Sequence, residues 1–314
     1  MSPRVIIAGP TAVGKTDLSL RIAQYWDVPV ISADARQCFK YMDIGTGKIT
    51  PEERAGIIHY NISILDPAED DNVQQFLKRA EAWEKELGRD YPFFLYVGGS
   101  TLYLEGLIRP LDDLPESDPE IRSELQAELN EKGIDSLYQQ LNKVDPDYAA
   151  KMDGKNTQRI LRALSVYRQT GKPFSTFHEQ DSHPRPPEGT LVFVLTRTRE
   201  HLYKRINQRV DRMIQHGLVD EVNHLIRKGY NFRSSALKTV GYTEIYNYIY
   251  GQYDLQEAIR LIKRNTRRYA KRQLTWFRRW EGVEWIDLDT LSDEEVTEFM
   301  IQQINKVVAD RKIY

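Results

Sequence analysis

The chain has 314 residues, 40% of them hydrophobic, enough for a buried core in one large domain or two smaller ones. Its 44 Lys and Arg nearly cancel 46 Asp and Glu, leaving a net charge of −2, so any surface that attracts a polyanion must be local. A lone cysteine, Cys38, rules out an intrachain disulfide and suits a reducing compartment, and no apolar run nears the roughly 20 residues of a membrane span. The N-terminus reads directly into strand and loop rather than a leader, so a cytoplasmic protein without membrane association is expected.

In chain order, short apolar runs recur at 4–9 (RVIIAG), 28–33 (VPVISA), 93–99 (FFLYVGG), 190–196 (TLVFVLT) and 283–288 (VEWIDL). Nearly continuous apolar strands separated by helix-like stretches predict a parallel sheet covered on both faces, hence an α/β core. Residues 112–187 interrupt this pattern. They hold no good strand, but a series of helical segments that open on Asp or Asn, closed by the Pro-rich SHPRPPEG at 182–189. The expected organisation is a catalytic core of 1–111 and 188–314 with a helical insertion at 112–187. Two further helices are predicted, one over REHLYKRINQRVDRMIQHG and a long one from Asp254 ending near Trp280.

GPTAVGKT, residues 9–16, fits the pattern G-x-x-x-x-G-K-[ST] with Gly9, Gly14, Lys15 and Thr16. Glycines let successive N–H groups converge on phosphate oxygens, and the helix N-terminus that follows adds its dipole. Lys15 supplies charge and Thr16 a hydroxyl for Mg²⁺. The motif lies between a predicted strand and a predicted helix, as that chemistry requires. ATP hydrolysis would also want an Asp at the end of a neighbouring strand. The candidate strand instead ends in Gly-Gly-Ser, so the loop is read as a site for a diphosphate that need not belong to ATP. The nearest strand-end acid is Asp34. Its type and position fit either a turn cap or a catalytic carboxylate, and spacing leaves both open. If it is catalytic, Asp34 and Gly98–Gly99–Ser100 should face Thr11 across one cleft.

Residues 262–280, IKRNTRRYAKRQLTWFRRW, interleave eight cationic residues with Tyr269, Trp276, Phe277 and Trp280. The charge density predicts contact with nucleic acid; the aromatics, at helical spacing, predict core packing. Arg205 and Arg209 are four apart on one helical face, placed either to clamp a diphosphate or to form a surface ladder with Asp211 and Glu221. The six histidines are scattered, so zinc or iron is not expected.

The ordered set GPTAVGKT, ISADARQ, MDIGTGK, YVGGSTLYLEGL, NTQRILRALSVYRQTGKP, LYKRINQRVDRMIQHGLVDEV, VGYTEI and YAKRQLTWFRR resembles the tRNA dimethylallyltransferase (tRNA isopentenyltransferase) family over nearly the whole chain. The resemblance implies a P-loop NTPase-like fold and transfer of a dimethylallyl group from dimethylallyl diphosphate to N6 of the adenosine on the 3′ side of the tRNA anticodon. It implies Asp34 as general base and Thr11 as the loop threonine between the substrates, with Arg209, or next to it Arg205, as the catalytic arginine. Gly9, Pro10, Thr11, Ala12, Val13, Gly14, Lys15 and Thr16 would hold the diphosphate, with Mg²⁺ through Thr16. By matching motifs, Asp34, Ala35, Arg36, Gln37, Ser100, Thr101, Gln158, Arg159, Ile160, Leu161, Arg162, Arg267, Arg268, Lys271 and Arg272 would touch the tRNA anticodon stem-loop. The chain is expected to act as a monomer.

Three departures stand out. Ala35 and Arg36 follow the acid where many members have Ser and a variable residue, Ser100 takes a Thr position, and Thr243 stands where Lys or Arg is frequent. They bear on substrate preference more than on reaction type. Transfer to a free adenine nucleotide, and a silent tRNA-binding protein that kept the fold, are the competing functions.

Overall fold

The structure is a computed structural model describing residues 2–88, 90–112, 114–152, 154–177 and 183–310. In chain order it runs β1 (Arg4–Ala8), α1 (Lys15–Trp26), β2 (Val30–Ala33), β3 (His59–Tyr60), α2 (Val73–Leu87), β4 (Phe94–Gly98) and α3 (Thr101–Ile108). After α4 (Pro119–Val144), α5 (Pro146–Ala150) and α6 (Thr157–Thr170) come β5 (Thr190–Thr196), α7 (Arg199–Gln215), α8 (Leu218–Arg227), α9 (Tyr242–Ile249), α10 (Leu255–Phe277), β6 (Glu284–Asp287) and α11 (Asp293–Asp310). The chain divides into two compact units, 1–109 with 183–314, and 110–182. Ser182, in the Pro-rich segment, lies outside the described residues.

In the larger unit six strands form one sheet in the order β3-β2-β4-β1-β5-β6, and every pairing is parallel. The period-2 alternation of β1 sends Val5 and Ile7 to one face, with Leu18, Ile22, Ile206, Met300 and Ile304 of α1, α7 and α11. Ile6 and Ala8 face the other side, with Phe76, Leu104 and Phe277 of α2, α3 and α10. Each such large apolar side chain, once buried, contributes about 1.5–3 kcal/mol. A third cluster joins α7, α8, α9 and α10 through Val210, Leu218, Val222, Tyr242 and Ile262, and takes in Cys38, Phe39 and Met42 of the loop after β2. Register aligns the strand ends: Gly98 pairs with both Ala8 and Ala33. The loops beginning at residues 9, 34 and 99 therefore leave the sheet side by side.

The five apolar runs are strands, while β3 is an additional two-residue strand with no apolar run to mark it. The long basic helix stops at Phe277 rather than near Trp280. In the smaller unit α4 bends at Gly133, whose φ is +73°, and α4, α5 and α6 enclose Leu125, Leu137, Leu141, Ile160 and Leu164. No described helix is long and apolar enough to cross a membrane.

Candidate active site

The three aligned loops open on one cavity of about 470 Å³ whose lining includes Thr11, Lys15, Thr16, Asp34, Gln37, Gly98, Gly99, Arg205, Arg209, Tyr269 and Gln273. The phosphate loop is held from behind by its carbonyls. Arg205 Nε donates to Ala12 O at 2.8 Å and Arg197 Nε to Val13 O at 2.9 Å. Ala12 is left-handed, with φ +64°, and Val13 buries its side chain in the core, so the loop's amides are what it offers a ligand. Lys15, the first residue of α1, donates to Gly9 O and Pro10 O, both at 2.9 Å. Removal from water and the nearby Arg209 charge push its ammonium down to about 8, against the opposing pull of Asp34.

Asp34 combines both features left open by its sequence position. Its Oδ1 caps the turn after β2, accepting from Arg36 N at 2.8 Å and Gln37 N at 3.3 Å, while the residue lines the cavity within range of the Lys15 and Arg209 charges. Both of these hydrogen bonds use Oδ1. Ser100 stands before α3 but does not cap it; its Oγ accepts from Ala35 N at 2.8 Å. Thr101 starts α3, and neither it nor Arg36 lines the cavity.

Of the two candidate arginines among the four on α7, Arg205 holds the loop, while Arg209 Nη2 donates to Thr46 O at 2.8 Å from inside the cavity. Gly47, with φ +56°, lies so close that a Cβ there would collide with the Arg209 guanidinium. Burial lowers the Arg209 pKa, with Arg212 and Arg205 acting in the same direction and Asp34 opposing. The alternative ladder does not form: Asp211 pairs with Lys263 at 2.6 Å, and Glu221 accepts from backbone amides.

Sequence reasoning missed Gln273. It is 2% exposed, accepts from Thr11 N at 3.0 Å and donates to Gly99 O at 2.7 Å, so α10 pins the phosphate loop to the end of β4. It sits in a stretch whose sequence signal is dominated by cations. Arg197 was missed as well, though its place just past β5 matches that of Asp34 after β2.

On α10, Arg268, Lys271 and Arg272 are exposed, but Arg267 donates to Asn207 Oδ1 at 2.6 Å and lies over the Tyr203 ring. Phe277 and Trp280 are core residues, and Trp276 Nε1 donates to Glu105. Tyr269 departs from the expected core packing: it is 38% exposed and lines the cavity. In the smaller unit Gln158 and Arg159 are exposed on α6, whereas Ile160 and Leu161 are 0% and 9% exposed. Their apolar side chains pack that unit's core, which corrects the expectation that they face a ligand. Arg162 donates to Pro115 O at 2.8 Å, and burial lowers its pKa. Among the described residues no three His, Cys, Asp or Glu converge as a metal cage.

A family model described as IPP transferase matches residues 37–280, and one described as Isopentenyl transferase matches 4–62. The chain is 44% identical over 300 residues to a tRNA dimethylallyltransferase of Carboxydothermus hydrogenoformans, covering 95% of this chain and 96% of that one. It is 43% identical over 289 residues to that of Clostridioides difficile, covering 91% and 92%. The crystal structure of a tRNA isopentenylpyrophosphate transferase from Bacillus halodurans matches all of both chains at 37% identity with a TM-score of 0.71. A eukaryotic dimethylallyltransferase described as acting on tRNA matches at 27% identity and a TM-score of 0.80, over 98% of this chain and 80% of that one. The P-loop-like core and these full-length similarities agree: the chain belongs to the tRNA dimethylallyltransferase family.

Proposed function

We propose that this protein, acting as a cytoplasmic monomer, moves the dimethylallyl group of dimethylallyl diphosphate to N6 of the adenosine 3′ to a tRNA anticodon, position 37, and releases diphosphate. The observation that carries this reading is a cavity that joins a phosphate loop to a carboxylate, with no strand-end acid on β4 to prepare ATP for hydrolysis. A purine amine is a weak nucleophile because its lone pair is delocalised into the ring. Asp34 accepts the N6 hydrogen as the N6–C1 bond forms and takes up the proton. The allylic C–O bond breaks, and its electron pair goes to the diphosphate. Loop amides, Lys15 and Arg209 stabilise that charge. Thr11 lies between the reacting ends, with its backbone fixed by Gln273. Adenine reaches the cavity by leaving the anticodon-loop stack.

Thr16 is exposed at the cavity and offers the hard oxygen that suits Mg²⁺, so the residues fit a cation that arrives on the diphosphate. When bound, Mg²⁺ neutralises part of the diphosphate charge. The anticodon stem-loop is held by Asp34–Gln37, Ser100 and Thr101, by Gln158, Arg159 and Arg162, and by the cations of α10. The test is to incubate the protein with Mg²⁺, dimethylallyl diphosphate and an anticodon stem-loop, with AMP as competitor, and to weigh the nucleosides after digestion. One dimethylallyl mass gain on a single adenosine supports the reading. Gain on AMP instead assigns a free-nucleotide acceptor, and RNA binding with no gain on either acceptor assigns a silent binder.

Two results are expected at this stage. Lys15 binds the diphosphate as an ammonium, so kcat/KM for the donor, which reports the free enzyme, falls as pH rises above about 8, by up to about tenfold per pH unit. A profile flat from pH 7 through about 9 means that the Lys15 ammonium is not depressed in the free enzyme or does not bind the donor. Replacing Arg268, Lys271 and Arg272 together by Gln lowers the slope of log affinity for the stem-loop against log salt by about 0.7–0.9 for every phosphate these side chains neutralise. An unchanged slope, measured by fluorescence anisotropy, means that this face of α10 does not meet RNA.

A further inference from the structure

Three motifs remain without a role in this reaction, MDIGTGK at 42–48, GLVDEV at 217–222 and VGYTEI at 240–245, and they converge on one carboxylate. Glu221, in the first turn of α8, accepts three consecutive backbone N–H groups. Asp43 N and Ile44 N reach its Oε2 at 2.9 and 2.7 Å, and Gly45 N reaches Oε1 at 3.0 Å. The Tyr242 hydroxyl, at the start of α9, donates to the same Oε1 at 2.6 Å. Burial, with the Glu221 charge, raises the Tyr242 phenol well above its ordinary range, so it stays a donor at any working pH. Gly45 packs on the Tyr242 ring so tightly that a Cβ would stand 2.5 Å from its Cε2.

The far end of the loop is anchored separately. Buried Lys48 donates to Phe39 O and Asp43 Oδ1 at 2.6 Å and to Ser63 Oγ at 2.8 Å. Between the anchors stands the Thr46 carbonyl that receives Arg209. These are charge-assisted hydrogen bonds, the stronger kind, and four of them meet on one carboxylate.

Arg209 needs such an anchor. Its guanidinium is a planar fork, so fixing one N–H on Thr46 O fixes the directions of the others. It also feels the Asp34 charge across the cavity. A guanidinium released from Thr46 would pair with that carboxylate. It would then leave the diphosphate and occupy the base at once.

We propose that Glu221 is a positioning residue for the transfer: by binding the amides of 43–45 it sets the Thr46 carbonyl that holds Arg209 toward the diphosphate and away from Asp34. This rests on the proposed prenyl transfer, so the test has one arm that does not need turnover. Glu221→Gln keeps the volume but puts an amide NH₂ against backbone N–H donors. It should lower kcat about 10–10²-fold, leave stem-loop affinity unchanged, and move the acid limb of the kcat profile to lower pH as Arg209 pairs with Asp34. Inorganic pyrophosphate, titrated by calorimetry, should bind about tenfold more weakly. In an Arg209→Ala background Glu221→Gln should cost little more in either readout, because the two act in series. Tyr242→Phe, which removes one of the four bonds, should fall between wild type and Glu221→Gln. Unchanged pyrophosphate affinity in Glu221→Gln, or full additivity with Arg209→Ala, overturns the proposal and leaves Glu221 a structural residue. Absence of prenyl transfer in the wild type, with the pyrophosphate results as expected, instead overturns the reaction and keeps the clamp.

Discussion

Replacing Asp34 by alanine should lower prenyl transfer by about 10²–10⁴-fold while the anticodon stem-loop still binds, since removal of the proposed general base acts on the transition state more than on the complex. Alanine alone leaves an ambiguity, because Oδ1 also caps the turn through Arg36 N and Gln37 N. Asp34→Asn separates the roles. The amide keeps an oxygen for those two N–H groups but is far too weak a base to take the N6 proton. Asn as slow as Ala identifies the base; Asn as fast as wild type reduces Asp34 to a turn cap. A second readout follows from the charges. Asp34 raises the Lys15 pKa toward its ordinary value. Both variants remove that support, so their donor kcat/KM should begin to fall at a lower pH than in the wild type. Single-turnover rates across pH measure both effects, and an unmoved limb would mean that Asp34 and Lys15 are not coupled in solution.

Some parts of this molecule are written in side chains and others in backbone contacts, and that division decides what a sequence reveals. Strands β1, β2, β4 and β5 were legible because strands buried on both faces need apolar residues at nearly every position, whereas the edge strand β6, with Glu284 and Trp285 exposed, showed only the short run VEWIDL. His59–Tyr60 carries no such run, although it pairs in parallel with Val30–Ile31. The last helix, α11, was not anticipated although Val296, Met300 and Ile304 repeat every four residues and are buried. The loop at 9–16 was legible because its conformation, with φ +120° at Gly14, demands glycine. Asp34 was legible from its place at a strand end. Gln273, Arg197 and Glu221 were not, because they chiefly grip backbone N–H or C=O groups, Thr11 and Gly99, Val13 and Leu288, and residues 43–45, although Arg197 also pairs with Asp289 and Glu221 accepts from the Tyr242 hydroxyl. A side chain that binds backbone places no demand on its partner's identity, so no pattern links the two positions. The departures near Asp34 become simpler in the fold. Ser100 Oγ accepts from Ala35 N, a bond to backbone that does not depend on the side chain at 35.

Arg209→Ala should lower kcat about 10²–10³-fold, the loss seen when one preorganised donor to a developing anion is removed, with stem-loop affinity near wild type. The size follows from where charge appears. In the proposed reaction the allylic C–O bond breaks inside a cavity where Arg209 is withdrawn from water, so its field on the diphosphate is weakly screened. Lys15 is a point charge that already serves Gly9 O and Pro10 O, and it cannot replace a second donor arriving from α7. Arg209→Lys should recover little, because one ammonium cannot reach Thr46 O and the anion with the fixed fork of a guanidinium. Gly47→Ala provides an independent check without touching the arginine. Its Cβ collides with the guanidinium at a residue with φ +56°, so it should reproduce most of the kcat loss. Its stem-loop affinity should hold. If Arg209→Ala turns over as fast as wild type while Arg205→Ala does not, the diphosphate arginine is the one that holds Ala12 O, and the 43–47 loop orients a bystander.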